Sequence, residues 1–203
     1  MDNGDIKNKL ITTATRLFAE CGLHGVSVRE LSKAAGVSIS MISYHFDGKE
    51  RLYSSVLVEQ FSCFDHIDVI KKSVCEPLDK LEDYIRWSIR RYREKPYLLK
   101  FYTSELTNPT HYFAQIVQPA IEHVILVLIE IIEEGIRKKQ LRSELNPEDT
   151  ALALVGMVNY YFLSTLATQG LVNHSPQRDE DLTKHYMDIF TKGISATSGN
   201  KPY

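Results

Sequence analysis

The chain has 203 residues, 43% hydrophobic and 25% charged, which is the composition of an ordinary globular protein and excludes a disordered or fibrous one. A formal net charge of −2 shows no bulk basic footprint of the kind that marks many nucleic-acid binders. The three cysteines, Cys21, Cys63 and Cys75, lack CxxC spacing; they exclude a disulfide framework and fit a reducing cytosol, and no secretory signal opens the chain.

Apolar residues recur at helical spacing almost throughout, and no alternating strand pattern appears, so the chain reads as all-α. A first helix is predicted from about Asp5 to Glu20, with Ile6, Leu10, Ala14, Leu17 and Phe18 on one face and Cys21-Gly22 as its end. Ser27 caps a short second helix, Glu30 completing a capping box, and Ala35-Gly36 ends it. A third short helix follows from Ile39 to His45. Asp47-Gly48 is a turn, and a fourth helix runs over about 49–72 with Leu52, Tyr53, Val56, Leu57, Phe61 and Phe64 as its stripe. Further helices start near Pro77, Pro96 and Pro109, the last one long and bent at Pro119. Its apolar stretch, Ile121 to Ile132, is broken by Glu122, His123 and Glu130 and reads as too short and polar for a bilayer. Asn146 caps the next helix, with Pro147 at its first position, over about 147–170. A final helix covers about 178–193, and the small, polar residues 196–203 read as a loose tail.

Val28 to His45 reads as helix, tight turn, helix. Gly36 takes the turn, Leu31, Ala35, Val37, Ile42 and Phe46 supply the buried faces, and Ile39, Ser40, Ser43 and Tyr44 face outward. Ser38 stands where a hydroxyl caps the third helix and touches a phosphate. Lys49 stands where an ammonium and a helix N-terminus hold a phosphate together. Residues 1–50 carry six basic side chains (Lys7, Lys9, Arg16, Arg29, Lys33, Lys49) against six acidic ones (Asp2, Asp5, Glu20, Glu30, Asp47, Glu50), so arrangement and not charge carries the reading.

The succession Leu17-Phe18-Ala19-Glu20-Cys21-Gly22, Ser27-Val28-Arg29-Glu30-Leu31, Ala34-Ala35-Gly36-Val37-Ser38 and Tyr44-His45-Phe46-Asp47-Gly48-Lys49-Glu50-Arg51-Leu52 resembles the N-terminal domain of TetR-family regulators. The match spans residues 6 to 57; Ser32 stands where alanine is usual, a small-for-small change. A weaker echo lies at Gly135-Ile136-Arg137, Leu141-Arg142 and Asn146-Pro147-Glu148. The resemblance implies about nine helices: a three-helix helix-turn-helix domain over 1–48, the connecting helix 49–72, and a larger ligand-binding and dimerisation domain over 73–195. It implies a cytoplasmic homodimer, a repressor released from palindromic double-stranded operator DNA when a small molecule binds. It carries over DNA contacts to Ser27, Arg29, Ser38, Ile39, Ser40, Ser43, Tyr44, His45 and Lys49. Of these, Ser27, Tyr44 and Lys49 match phosphate contacts, and Ile39, Ser40 and Ser43 the base readers. His45 fits a phosphate contact and a helix cap equally well.

Aromatic residues are rich in tyrosine. Phe61, Phe64, Tyr84, Trp87, Tyr102 and Tyr160 are the candidates for lining a pocket for a small apolar or aromatic ligand, against the alternative that they are ordinary core. Cys63 and His66 share a metal-ligand spacing but lack further ligands, so no metal is expected. No cofactor fingerprint and no catalytic signature is present, and no catalytic residue is assigned. Two other readings remain open: a DNA-binding factor of this fold that recruits a protein partner without a small ligand, and a helical enzyme or carrier.

Overall fold

The computed structural model describes residues 3–62 and 64–194, the side chains of Asn3, Phe64 and Asp65 excepted. Cys63 and the tail expected over 196–203 lie outside the described residues. Among those described, ten α-helices follow in order: α1 (Asn3–Cys21), α2 (Val28–Ala35), α3 (Ile39–Phe46), α4 (Lys49–Phe61), α5 (Phe64–Lys72), α6 (Pro77–Glu94), α7 (Leu98–Thr107), α8 (Gln118–Arg137), α9 (Pro147–Leu163) and α10 (Asp179–Ile194).

The chain divides into two units: Met1–Ser62 with Lys95–Ala120, and Cys63–Glu94 with Ile121–Tyr203. This differs from the expected division, because residues 95–120 belong with the helix-turn-helix. The connecting helix expected over 49–72 is two helices. Ser62, at φ −71° and ψ 90°, is extended, so the α4 ladder stops at Phe61. A serine there, whose hydroxyl donates to the Glu59 carbonyl at 3.0 Å, offers the backbone an alternative to continuing the helix.

In the first unit, Leu10, Ala14 and Phe18 of α1, Leu31 and Ala35 of α2, Ile42 and Phe46 of α3 and Leu52, Val56 and Leu57 of α4 are buried, with α1 and α3 each packed on α2 and α4. Leu98, Leu99 and Phe101 of α7 and Val117 are also buried. The bend expected at Pro119 takes the form of a π turn over Phe113–Val117, directly before α8, in which Gln118 N–H reaches back to the Phe113 carbonyl. Pro119 has no N–H to give and its ring crowds the carbonyl four residues back, so a widened turn just ahead of it relieves the clash.

In the second unit, Leu81, Tyr84, Ile85 and Ile89 of α6 meet Val127, Leu128, Ile131 and Ile132 of α8 and Leu154 and Val158 of α9 in one core. Phe113–Arg137 is 25 residues long and, by length and composition alone, apolar enough to cross a membrane, beyond what the stretch 121–132 indicated; four of its residues nonetheless lie in this core. Asn146 caps α9 as expected, its side chain accepting from Asp149 N–H at 2.7 Å. α9 stops at Leu163 and not near 170. There Ser164, Thr165 and Thr168 turn their hydroxyls back onto the carbonyls of Tyr161, Phe162 and Ser164, and turns replace the helix. Arg93 of α6 grips Asp179, the first residue of α10, through two hydrogen bonds of 3.1 and 2.8 Å.

Candidate nucleic-acid interface

Local chemistry shapes α2 and α3. Glu30 N–H donates to the Ser27 hydroxyl oxygen at 3.2 Å, while Ser27 N–H and its hydroxyl both donate to the Glu30 carboxylate, at 2.8 and 2.7 Å. This reciprocal box satisfies the start of α2. The Ser27 N–H first, then its hydroxyl, holds the Glu30 carboxyl below the usual carboxylate range. At the other end Gly36 adopts φ 61°, a left-handed conformation that a side chain resists, and its N–H and that of Val37 close onto the carbonyls of Lys33 and Ser32. Ser32 is buried and donates to the Arg29 carbonyl at 3.0 Å. Its small size lets the two helices meet.

With Ile42 and Phe46 buried, the opposite face of α3 is outward. Ile39, Ser40, Ser43 and Tyr44 are exposed, Tyr44 by 71%. Arg29 on α2 is exposed as well. Ser38 has the extended backbone of an N-cap, but its hydroxyl makes no cap; it shares a 2.8 Å hydrogen bond with the Ser40 hydroxyl. Met41 N–H donates to the Ser38 carbonyl at 3.1 Å, and no Ser38 side-chain cap covers the start of α3.

Ser27 makes the expected cap, its hydroxyl bonded with Glu30. Lys49 and His45 have surroundings the sequence did not show. Lys49 Nζ donates to the carbonyls of Leu23 and Val26, both at 3.0 Å, tying down the loop between α1 and α2 and leaving one N–H for a phosphate. His45 Nε2 is enclosed without a hydrogen-bond partner, and the ring packs beside Tyr44 with centroids 5.0 Å apart. That geometry fits neither a phosphate contact nor a helix cap through this nitrogen.

The aromatic candidates divide between the two units. Phe61 is buried and Tyr102 half-buried in the first unit, whereas Tyr84, Trp87 and Tyr160 belong to the second. Tyr84 is 2% exposed within the core. Trp87 lies 6.1 Å from it and borders a groove of about 220 Å³ with His66, Ser73, Asp83, Arg86 and Arg90; His66 stacks on the indole at 5.6 Å. Tyr160 is 71% exposed on α9, which removes it from any interior wall of this protomer. The Phe64 side chain lies outside the described residues. Sequence reasoning missed Glu105, which is 1% exposed and bonded to Tyr53; its place on the face of Leu98 and Phe101, at helical spacing, was the available signal.

Two short helices crossing at a glycine turn, the second with a buried back and a small, polar-tipped front, define a helix-turn-helix DNA-binding protein. Residues 10–56 match the family model described as bacterial regulatory proteins, tetR family. The domain over residues 10–56 is thus similar to the DNA-binding domain of tetR-family regulatory proteins, and the comparisons support a DNA-binding transcriptional regulator. It is 28% identical over 140 residues to the probable HTH-type transcriptional regulator YttP of Bacillus subtilis, spanning 66% of each chain. It is 22% identical over 202 residues to the HTH-type transcriptional repressor KstR2 of Mycolicibacterium smegmatis, covering 96% of this chain and 93% of that one. Two solved structures share the fold. The ketosteroid transcriptional regulator KstR2 of Mycobacterium tuberculosis gives a TM-score of 0.76 at 19% identity, covering 93% of this chain and 94% of that one. A putative fatty acid metabolism regulator of Clostridium perfringens gives 0.78 at 22%, covering 93% and 100%.

Proposed function

We propose that this regulator is a homodimeric repressor that leaves a pseudo-palindromic operator when a small apolar or aromatic molecule binds its second unit. The observation that carries the DNA half is the outward face of α3, with Ile39, Ser40, Ser43 and Tyr44 exposed and no side-chain cap over the helix start. Ile39 suits a thymine methyl and the serines suit either base edges or phosphates. Tyr44, Arg29 and the remaining N–H of Lys49 supply backbone contacts.

The dimer reading rests on α9. Leu152, Tyr160 and Leu163 are exposed, and with Gly156 they fall at intervals of four, four and three residues, one stripe of the helix. A mid-helix glycine costs about 1 kcal/mol against alanine. A Cβ at Gly156 would meet nothing within 4 Å, so nothing within the protomer calls for its smallness. Close approach of a partner helix does. Ile189 adds an exposed apolar side chain on α10. Two-fold pairing through α9 and α10 places two reading helices on half-sites about one helical turn apart or a multiple of it.

For the ligand, the names of the relatives speak of ketosteroids and fatty acid metabolism, and both point to an apolar molecule. Trp87 and the groove beside it are the candidate wall. A rigid lever running unbroken over 49–72 is not available, since α4 ends at Phe61. The effector then acts as a population shift, through its difference in affinity for two arrangements, typically about 1–3 kcal/mol. The buried Tyr84 favours a second reading, in which the core is filled and the fold recruits a protein partner instead. Titrating ketosteroids and long-chain fatty acids against the protein, with and without bound operator, tests the proposal. DNA and effector are expected to weaken one another by the same factor. Equal effector affinities in the two titrations sink the ligand reading and leave the recruiting one.

A further inference from the structure

We infer that Glu105 is a positioning residue for DNA binding, holding the reading helix in place from outside the helix-turn-helix by way of Tyr53; this rests on the DNA-binding reading above. Glu105 lies on α7, 52 residues from Tyr53 in the chain, yet within the same unit. Its side chain receives the Tyr53 hydroxyl at 2.6 Å, the Thr110 N–H at 3.1 Å, and the Thr110 hydroxyl at 3.1 Å from each oxygen. All three donors are neutral. Burying a carboxyl group is unfavourable unless its lone pairs are met, and here each of these partners is a donor aimed at it. Leucine would fill a core position on an α7 face with Leu98 and Phe101 at no such penalty. What leucine lacks is direction: a fully satisfied buried polar network holds one geometry and disfavours its neighbours.

The group so oriented is central. Tyr53 is 2% exposed on α4, with its ring 5.0 Å from Phe18 of α1 at nearly a right angle, 6.1 Å from Phe101 of α7 and 6.3 Å from Tyr112. Burial first, then the Glu105 side chain, holds its phenol well above the ordinary range, so it stays a donor at every working pH. One turn earlier on the same helix, Lys49 holds the Leu23 and Val26 carbonyls, the loop that delivers Ser27 to the start of α2. Lys95, which begins the second segment of this unit, donates to the Glu59 carbonyl near the other end of α4. α4 is thus pinned at both ends and in the middle. The body that reads DNA is residues 3–62 with 95–120, and the azimuth of α4 within it is set by a side chain that touches no DNA-facing group.

An operator accepts one placement of α3. A body held less sharply populates that placement less, and apparent affinity falls by that fraction. The test uses the full chain and a duplex selected from a random pool by the wild-type protein. Tyr53→Phe keeps the ring and deletes only the hydroxyl. Glu105→Leu keeps the volume and deletes the acceptor. Each is expected to weaken the selected duplex about tenfold, the scale of a lost buried hydrogen bond to such a group. The double variant is expected to be no weaker than either single one, and Glu105→Gln, whose one carbonyl oxygen can still accept from Tyr53 while its NH2 faces the Thr110 N–H, to recover part of the loss. The salt slope and base preference stay unchanged, since no DNA contact is removed. Tyr53→Phe and Glu105→Gln serve even if Glu105→Leu fails to fold. Folded variants within twofold of wild type, or additive effects in the double variant, overturn the inference. A wild-type protein that selects no duplex overturns the DNA-binding reading itself and this inference with it.

Discussion

The ammonium of Lys49 donates to the carbonyl of Val26 at 3.0 Å, 23 residues earlier in the chain, and so joins the start of α4 to the loop entering α2. A residue expected to meet a phosphate therefore also ties down the loop before α2. Lys49→Ala is expected to lower the melting temperature and to weaken binding to all duplexes alike. The slope of log affinity against log salt should fall by about one. Calorimetry and binding over a range of salt check this. A changed base preference with an intact salt slope would show that Lys49 reads sequence.

Ile39 and Ser40 stand on the outer face of α3 and are expected to set base preference. Ile39→Ala should flatten discrimination at one position of each half-site, by about 1 kcal/mol, with the salt slope unaltered. Ser40→Ala also releases the Ser38 hydroxyl from its 2.8 Å bond. Affinities for a panel of single-base variant duplexes measure both effects. Equal losses on every duplex would assign these side chains to the backbone.

Gly156 separates Leu152 from Tyr160 on the exposed stripe of α9. Gly156→Leu is expected to leave the protomer folded, since a side chain there meets open space, and to split the dimer. Sedimentation at micromolar concentration should give the monomer mass. Operator affinity should fall by more than about a hundredfold, because the two half-sites no longer bind as one event. A variant that remains dimeric places the interface elsewhere.

The capping box at Ser27 and Glu30 makes a pH-dependent contribution of known sign. The folded-state pKa of Glu30 lies below its ordinary value of 4.5, so the stabilisation is present above that value and is lost as pH falls through the folded one. Ser27→Ala should lower the melting temperature by a few degrees near neutral pH and by less in acid. Melts at pH 7 and pH 3 compare the two. An equal deficit at both would mean that Glu30 does not respond to the cap.

Much of the reading head was legible in the residues because its signals are local. Ser27 with Glu30, Gly36 in a left-handed turn, and Asp47-Gly48 before Lys49 each act within one turn of chain, and hydrogen bonds that close so near do not depend on the rest of the fold. The start of α9 at Asn146 and Pro147 was readable for the same reason. The path of the fourth helix was not. Its apolar stripe continues past Ser62, and periodicity reports which side of a helix is apolar without reporting where the ladder stops.

What tertiary structure alone decided is which buried groups meet. Aromatic residues that look like one set in the sequence divide between two units, with Tyr84 packed in a core and Tyr160 turned to the surface. Glu105, an ordinary charged residue in a helical pattern, lies next to Tyr53 only because the chain returns to the first unit at Lys95. Burial and pairing across tens of residues depend on how helices are brought together, and a helical pattern specifies the face to be covered but not the residue that covers it.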